Sequence, residues 1–305
     1  MKIYRSKKQG QIIRETYDEL LKLWDCEISE RDIITSYGST HIIETGKDNL
    51  PALVLFHGVG DDSALMWIYN AAVLSKRFKL YAVDTLGGPG KSEPNENYNK
   101  SFDTISWIDQ IFDGLRLEKA YVAGVSNGGF LTQYYTLRRP ERVIKAISIS
   151  STVAAPAPSE LVDETKAKRA KAAAMKAMMK IFLPEALFPT DKNVRKLIKK
   201  LCGKNYTVFT ENPTIMAHYK GLLKGFNNMA MRYHKVVAFT KDEVDSIRDK
   251  LVYLVGEEDP FEKLGGKTRL IENNMNATFY PDAGHGLNHE LSSQINEKII
   301  NVLLG

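Results

Sequence analysis

Residues 120–130 read AYVAGVSNGGF, and the prediction of the fold starts from them. Its first half is an apolar run typical of a buried strand, and apolar side chains at helical spacing continue beyond it. A serine flanked by glycines between a strand and a helix forms a nucleophile elbow, a strained turn that holds the hydroxyl above a sheet. Ser126 is therefore a candidate nucleophile, and the N–H of Asn127 at the helix start is a candidate oxyanion donor. A merely structural glycine turn is the alternative.

The composition is that of a large globular protein. Among 305 residues, 43% are hydrophobic and 26% are charged, enough to bury a full core in one large domain with an insertion. No apolar run is long enough to span a membrane, and Arg14 and Glu15 interrupt the apolar segment that a signal peptide would need. Cys26 and Cys202 are far apart, so we expect neither a disulfide nor structural zinc. These features predict a cytoplasmic protein.

The net charge of +5 is concentrated between residues 164 and 204, which hold twelve basic and three acidic residues. Such an excess can attract an acidic partner, an anionic substrate or a membrane surface. The basic residues are not interleaved with aromatic residues that could stack on bases, and a solvated face of amphipathic helices explains them more simply. We therefore expect no nucleic-acid partner and no stable insertion into a membrane.

Upstream of the elbow, the patterns of strands and helices alternate. Helical spacing predicts three helices, over residues 11–24, 64–74 and 102–115. Short β-type and apolar runs predict a hairpin and two further strands, over residues 33–37, 40–44, 52–56 and 80–83. This alternation predicts a mostly parallel sheet with helices on both faces.

The apolar run at residues 52–56 ends in His57-Gly58-Val59-Gly60. In proteins that use a nucleophile elbow for acyl transfer, the loop after the third strand supplies a second backbone N–H to the oxyanion. We assign that role to the backbone N–H of Val59. His57 is expected to be structural, with its ring hydrogen-bonded inside the loop.

Gly90-Lys91-Ser92 follows a predicted strand and resembles the end of a phosphate-binding loop. Thr85 stands where that loop needs its first glycine, and Pro94 prevents the helix whose N-terminus would hold the phosphates. The segment therefore argues against a kinase or a nucleotide hydrolase.

Downstream of the elbow helix, the alternation is interrupted by a linker, AAPAP at residues 154–158, and a helical segment that continues to residue 246. Strand patterns occur on both sides of this interruption, over residues 143–149, 251–255 and 277–280, and a closing helix is predicted over residues 287–304. We expect a core and an inserted helical lid, formed respectively by residues 1–153 with 247–305 and by residues 154–246.

Two loops that follow predicted strands carry the other groups that a serine nucleophile needs. Asp259 comes after one strand, and His285 lies in a glycine-flanked loop after the last. Ser126, Asp259 and His285 thus have the chain order of a known triad arrangement, in which histidine is the general base and aspartate orients it. Glu257 or Glu258 could replace Asp259.

The other histidines are not expected to act in catalysis or to bind a metal. His289 lies four residues beyond His285 but has no companion ligands nearby. His41, His218 and His234 are expected to be ordinary surface or core residues. We expect no cofactor.

Together these motifs resemble the α/β-hydrolase superfamily over essentially the whole chain. The resemblance rests on five features: the His-Gly loop at residues 57–60, the loop at residues 84–92 (the Asp84 loop), the Ser126 elbow, residues 256–259 and residues 283–285. More narrowly, the chain is similar to bacterial carboxylesterases of the naproxen-esterase type, at residues 17–24, 53–58 and 139–143 and at Ser92, which follows Asp84 by eight positions.

This resemblance implies an α/β-hydrolase fold and hydrolysis of small-molecule carboxylic esters without a cofactor. We expect the protein to be a monomer or a homodimer. Asn127 stands where leucine is more usual, and the Asp61-Asp62 pair lies near the expected pocket mouth. Both departures bear on the substrate and leave the triad intact.

Three functions are compatible with the sequence. The first is a serine carboxylesterase acting on small or medium esters. The second uses the same triad on thioesters, lactones or carbon–carbon bonds, because chemistry belongs to the site and not to the fold. The third is a ligand-binding module without activity, which an intact triad disfavours. Ser126 excludes dehalogenases and epoxide hydrolases in their usual form, since these need a carboxylate at the elbow.

Overall fold

The computed structural model describes residues 2–305, with the side chains of residues 177, 178, 180–182, 184 and 186 outside the description, among them Lys180 of the basic segment. In the described residues, one sheet contains nine strands: β1 (Ile28–Thr35), β2 (Gly38–Thr45), β3 (Ala52–Phe56), β4 (Lys79–Val83), β5 (Glu93–Pro94), β6 (Ala120–Val125), β7 (Val143–Ile149), β8 (Leu251–Gly256) and β9 (Asn276–Tyr280). The predicted hairpin is present as β1 and β2. β1 begins five residues before its predicted range of 33–37 and ends at Thr35, and β2 extends beyond its predicted range of 40–44 at both ends.

The strand order across the sheet is β1, β2, β4, β3, β6, β7, β8, β9, and β5 pairs with β2. β2 is antiparallel to its partners, whereas all neighbours from β4 to β9 are parallel. Phe56 lies opposite Gly124, and Val125 lies opposite Ile149. The carboxyl ends of β3, β6 and β7 are therefore adjacent, and the loops that follow these strands meet at one edge of the sheet.

The helices occur at α1 (Lys7–Leu21), α2 (Ser63–Met66), α3 (Ala71–Leu74), α4 (Thr104–Gly114), α5 (Asn127–Arg138), α6 (Pro158–Val162), α7 (Glu164–Leu187), α8 (Asp191–Leu201), α9 (Thr207–Thr210), α10 (Pro213–Gly225), α11 (Lys241–Ile247), α12 (Gly266–Glu272), α13 (Leu287–Glu290) and α14 (Ser292–Leu304). Short 3-10 turns occur at Asn228–Met231, Arg248–Lys250 and Pro260–Leu264. Side-chain caps begin several helices; Asp103, for example, accepts hydrogen bonds from two N–H groups of the first turn of α4.

The core consists of two apolar layers, one on each face of the sheet. Because side chains alternate along a strand, Leu53 and Leu55 of β3 face the layer with α1 and α14, and Val54 and Phe56 face the layer with α4 and α5. Strands covered on both faces must be apolar throughout, which explains the unbroken apolar run of β3.

Two predicted helices are interrupted. The helix expected over residues 64–74 is divided into α2 and α3, and the helix expected over residues 287–304 is divided into α13 and α14. A buried amide network joins the two breaks: Asn288 Nδ2 donates to the carbonyl of Met66, the last residue of α2, and Asn70 Nδ2 donates to Asn296 Oδ1. In a continuous helix the carbonyl of Met66 would accept a backbone N–H, so the side chain of Asn288 competes with the helical hydrogen bonds at this point.

The chain between β7 and β8 forms α6 to α11. Helix α10 packs against α1, with Ile215 and Leu222 in the same apolar layer as Ile13. Within residues 2–305, no helix combines the length and the apolar character that crossing a bilayer requires.

Candidate active site

Ser126 occupies a strained turn between β6 and α5. Its backbone angles are φ 57° and ψ −116°, a region that residues with a side chain rarely adopt. The turn is held by hydrogen bonds from Ser126 N–H to the Ile149 carbonyl (2.8 Å) and from Phe130 N–H to the Ser126 carbonyl (3.2 Å). The strand, turn and helix predicted from the sequence are therefore present, with the serine at the apex.

The flanking glycines are required by close backbone approach. A methyl group at Gly124 would overlap the carbonyl oxygen of Gly128, and one at Gly128 would overlap the carbonyl oxygen of Phe56. Helix α5 can therefore lie directly over β3 and β6 only because these positions lack side chains.

His285 and Asp259 are joined by a hydrogen bond of 2.7 Å between Nδ1 and Oδ2. Asp259 is buried, and its other oxygen accepts a hydrogen bond from the N–H of Phe261 at 2.8 Å. Since a carboxylate accepts the Nδ1 proton, Nε2 is left available as the basic nitrogen. The arrangement pairs His285 with Asp259 and not with the alternative acids: Glu257 is exposed and pairs with Lys267, and Glu258 is also exposed.

The pKa of His285 is raised. Burial is the largest influence and acts to lower it, but the nearby carboxylates of Asp259, Asp61 and Glu290 together outweigh burial. The imidazolium that forms when this ring takes a proton is therefore stabilised by its surroundings.

The loop that carries His285 is held by a carboxylate that the sequence alone did not single out. Glu290 accepts hydrogen bonds from the backbone N–H of Gly203 at 2.6 Å and from that of Gly284 at 3.0 Å. The N–H of His285 itself donates to the carbonyl of Leu201 at 2.8 Å. The histidine loop is thereby tied to the chain after α8.

The loop after β3 approaches the serine closely. An added Cβ at Gly58 would lie 3.2 Å from Ser126 Cβ, a tight contact that glycine avoids. Within the described residues, the N–H groups of Val59 and Asn127 have no acceptor in the chain. Both are free to donate to a ligand oxygen.

His57 is buried and holds its own loop. Its Nε2 accepts a hydrogen bond from the N–H of Thr85 at 2.9 Å, so Nδ1 carries the proton and donates to the carbonyl of Gly58 at 2.8 Å. This agrees with the structural role expected for it.

Asp84 ties this loop to the N-terminal helix. One oxygen accepts from the N–H of Ser63 at 2.9 Å, and the other accepts from the hydroxyl of Tyr17 at 2.9 Å and the N–H of Lys91 at 2.8 Å. The Asp84 loop is thus a buried brace and does not form a phosphate site.

Of the Asp61-Asp62 pair, only Asp61 faces the pocket. Asp61 lines a cavity beside Ser126, whereas Asp62 is fully buried, caps α2 through the N–H of Leu65 and bonds to His218. The two adjacent carboxylates face opposite surroundings because the chain turns into a helix between them.

Two cavities meet at the candidate triad, and both are lined by Ser126 and His285. The first cavity, of about 410 Å³, has a largely apolar wall that includes Met66, Ile198, Leu201 and Phe209. The second, of about 760 Å³, is lined by hydroxyl and charged groups that include Ser150, Thr152, Lys171 and Arg269. Both volumes lie in the range of small-molecule sites, roughly 300–1,000 Å³.

The remaining histidines contact the protein itself. His41 lies 2.9 Å from both Asp32 and Glu30, and His234 lies 2.8 Å from the carbonyl of Leu86. Burial lowers the pKa of His234 to about 4. Among the residues whose placement is described, no group of three or more His, Cys, Asp or Glu side chains is arranged to hold a metal ion.

The fold and the elbow define the class of protein: the chain belongs to the α/β-hydrolase family. The family pattern described as "alpha/beta hydrolase fold" matches residues 51–192. The chain is 30% identical to the uncharacterized carboxylesterase nap of Bacillus subtilis, covering 94% of this chain and 90% of the relative. It is 28% identical to the carboxylesterase YbfK of the same organism, covering 98% and 95%.

Solved structures agree with this assignment. The crystal structure of naproxen esterase from Bacillus subtilis matches with a TM-score of 0.77 and 26% identity, over 97% of this chain and 99% of that one. The predicted fold class and the resemblance to the naproxen-esterase type are therefore confirmed.

Proposed function

We propose that the protein hydrolyses carboxylic esters with Ser126 as nucleophile, His285 as general base and Asp259 as the residue that orients the histidine. The observation that carries this proposal is the Asp259–His285 hydrogen bond beside a strained serine that lines the same cavities. The carboxylesterase relatives, similar over nearly the full chain, support the same reaction.

The reaction begins with transfer of the Ser126 proton to His285 Nε2 as the serine oxygen attacks the ester carbonyl. Asp259 stabilises the resulting imidazolium. The N–H groups of Val59 and Asn127 hold the oxyanion of the tetrahedral intermediate.

Collapse of this intermediate releases the alcohol, which takes the proton from His285, and leaves an acyl group on Ser126. Water then attacks the acyl-enzyme with His285 again as base, and the carboxylic acid departs. Every proton moves between the ester, water and the two side chains, so the reaction needs no cofactor.

Fewer observations support the other hypotheses. Thioesters, lactones and carbon–carbon bonds would use the same residues, but nothing in the described part of the chain favours them over esters. A binding module without activity would not need the Asp259–His285 pair. A lid at residues 154–246, a cytoplasmic location and a monomeric or homodimeric state stay predictions from the sequence.

The test is hydrolysis of p-nitrophenyl esters from acetate to decanoate by the wild type and by Ser126→Ala, His285→Ala and Asp259→Asn variants. We expect each variant to lose about 10³-fold or more in kcat. Glu258→Gln is the matched control, because it removes a nearby exposed acid that does not bind His285, and it should keep full activity. Loss in Glu258→Gln with full activity in Asp259→Asn would contradict the assignment of Asp259.

A further inference from the structure

Asp61 places a carboxylate in the wall of the otherwise apolar first cavity. It follows Val59 by two residues in the loop after β3, and one of its oxygens accepts the N–H of Asp62 at 2.9 Å. No lysine or arginine is among the described residues that line this cavity. The carboxylate therefore has no lysine or arginine beside it to offset its desolvation.

Two further acceptors in the same wall are also unpaired. His289 Nε2 lies 2.9 Å from the carbonyl of Leu65, so Nε2 carries the proton and Nδ1 is an acceptor. Asn288 uses its amide N–H groups on Met66 and Asn70. His289 Nδ1 and Asn288 Oδ1 are both buried without a partner in the part of the chain that is described.

Burial sets the protonation of His289 and of Asp61 in opposite ways. Burial lowers the pKa of His289 to about 4, against the opposing bond to Leu65, so the ring stays neutral near neutral pH. Burial and the neighbouring Asp62 raise the pKa of Asp61 to about 7, although His218 and His285 act in the opposite direction. A cationic group in this cavity would pair with the ionised Asp61 carboxylate.

The second cavity has a mixed character. Lys171 and Arg269 line it together with the carboxylates of Asp259 and Glu262, and Arg269 is paired with Glu160. Charges of both signs are therefore present in the second cavity, whereas the first carries the Asp61 carboxylate and no lysine or arginine.

We propose that the first cavity selects esters that carry an amine, with the protonated amine against Asp61. The inference rests on the proposed function, because it names the substrate class of that same site. Asp61 is then a residue that determines specificity, and the apolar wall accommodates the carbon chain between the ester and the amine.

The test compares two matched pairs of esters. Dimethylaminoethyl butyrate and isoamyl butyrate have the same shape, and only the first carries a cation in its alcohol part. Butyl dimethylaminobutyrate and its carbon isostere, with CH in place of N–H, place the same difference in the acyl part. In at least one pair, we expect wild-type kcat/KM for the amine to exceed that for the isostere by about tenfold or more.

Asp61→Asn should reduce the ratio of kcat/KM between amine and isostere to about one; any effect of the substitution on His285 acts on both esters and cancels in this ratio. Asp249→Asn is the control for loss of one negative charge, because Asp249 is exposed and lies just before β8, at the sheet edge away from the site. Equal kcat/KM for amine and isostere in both pairs, or a preference that survives in Asp61→Asn, would overturn the inference.

The pH dependence in the wild type provides a readout that needs no variant. The ratio of kcat/KM between amine and isostere should rise as pH passes about 7, where Asp61 ionises. His285 must be neutral for either ester to react, so this requirement cancels in the ratio. Tyr219 stays neutral because burial raises its pKa, and Asp62 and His218 are paired with each other. A flat ratio would contradict the inference, whereas absence of turnover on all four esters would overturn the proposed function itself.

Discussion

The imidazole of His218 and the carboxylate of Asp62 lie 2.8 Å apart, and neither side chain is exposed. His218 belongs to α10, and its other ring nitrogen lies 2.8 Å from the hydroxyl of Thr16 in α1. Asp62 also caps α2 through the N–H of Leu65 at 3.1 Å. One buried contact thus connects two helices with the loop that presents Val59 to the candidate nucleophile.

Removing one member of this pair should destabilise the protein strongly. His218→Gln leaves the Asp62 carboxylate buried without its partner, and we expect a loss of about 3–5 kcal/mol in the free energy of unfolding by urea. The double variant with Asp62→Asn should lose less than the sum of the single variants, since it leaves no unpaired charge. Additive losses would show that the two side chains do not interact.

The glycine requirement at the elbow can be tested with two alanine substitutions. Gly124→Ala forces a methyl group onto the carbonyl oxygen of Gly128, so we expect loss of about 3 kcal/mol or more, or failure to accumulate as folded protein. Gly221→Ala in α10 is the control, because its nearest neighbour would be Ile13 Cγ1 at an ordinary 3.6 Å. It should be neutral or stabilising by up to about 1 kcal/mol. Equal urea midpoints for the two variants would contradict the elbow geometry.

The pH profile of ester hydrolysis should report His285. Only the neutral imidazole accepts the serine proton, so kcat/KM falls as pH drops through its pKa, which the folded protein raises above the usual value of about 6.5. Asp259→Asn removes the strongest of the carboxylates that raise this pKa. The acidic limb should therefore move to lower pH in that variant, while kcat falls about 10³-fold or more. An acidic limb unchanged in Asp259→Asn would show that another group sets it.

Glu290 is expected to position the histidine loop. Glu290→Gln keeps one acceptor oxygen but places an N–H₂ group against one of the two backbone N–H groups that the carboxylate now binds. We expect kcat to fall about tenfold with KM little changed, because the loss concerns the placement of His285 and not ester binding. Glu297→Gln, an exposed position on α14, is the control. A change in KM alone would argue against a positioning role.

Local patterns were sufficient to predict the elbow and all the strands except the two-residue β5, because side-chain alternation and the steric demands at Gly124 and Gly128 are properties of short segments. The breaks between α2 and α3 and between α13 and α14 were not predicted, because they depend on Asn70 and Asn288, which are 218 positions apart. Helical spacing in each segment favours continuity, and only the packed structure brings the amides together.

The same limit applies to the site. Ser126, Asp259 and His285 each follow a strand, so their place at the carboxyl edge of the sheet could be deduced from the sequence. The different roles of Asp61 and Asp62 could not be deduced, because the partner of Asp62 is 156 positions away, on α10. In the sequence, nothing about two consecutive aspartates shows which one is buried in a pair and which one lines a cavity.

If Ser126 carries the acyl group, a fluorophosphonate should label Ser126 itself. Intact mass and peptide mapping of the wild type should show one adduct, on Ser126, and Ser126→Ala should show none. Ser150→Ala is the control, because Ser150 also lines the second cavity and its buried hydroxyl has no partner among the described residues. It should be labelled at Ser126 like the wild type. An adduct that persists in Ser126→Ala, or that is lost in Ser150→Ala, would contradict the assignment of Ser126 as the nucleophile.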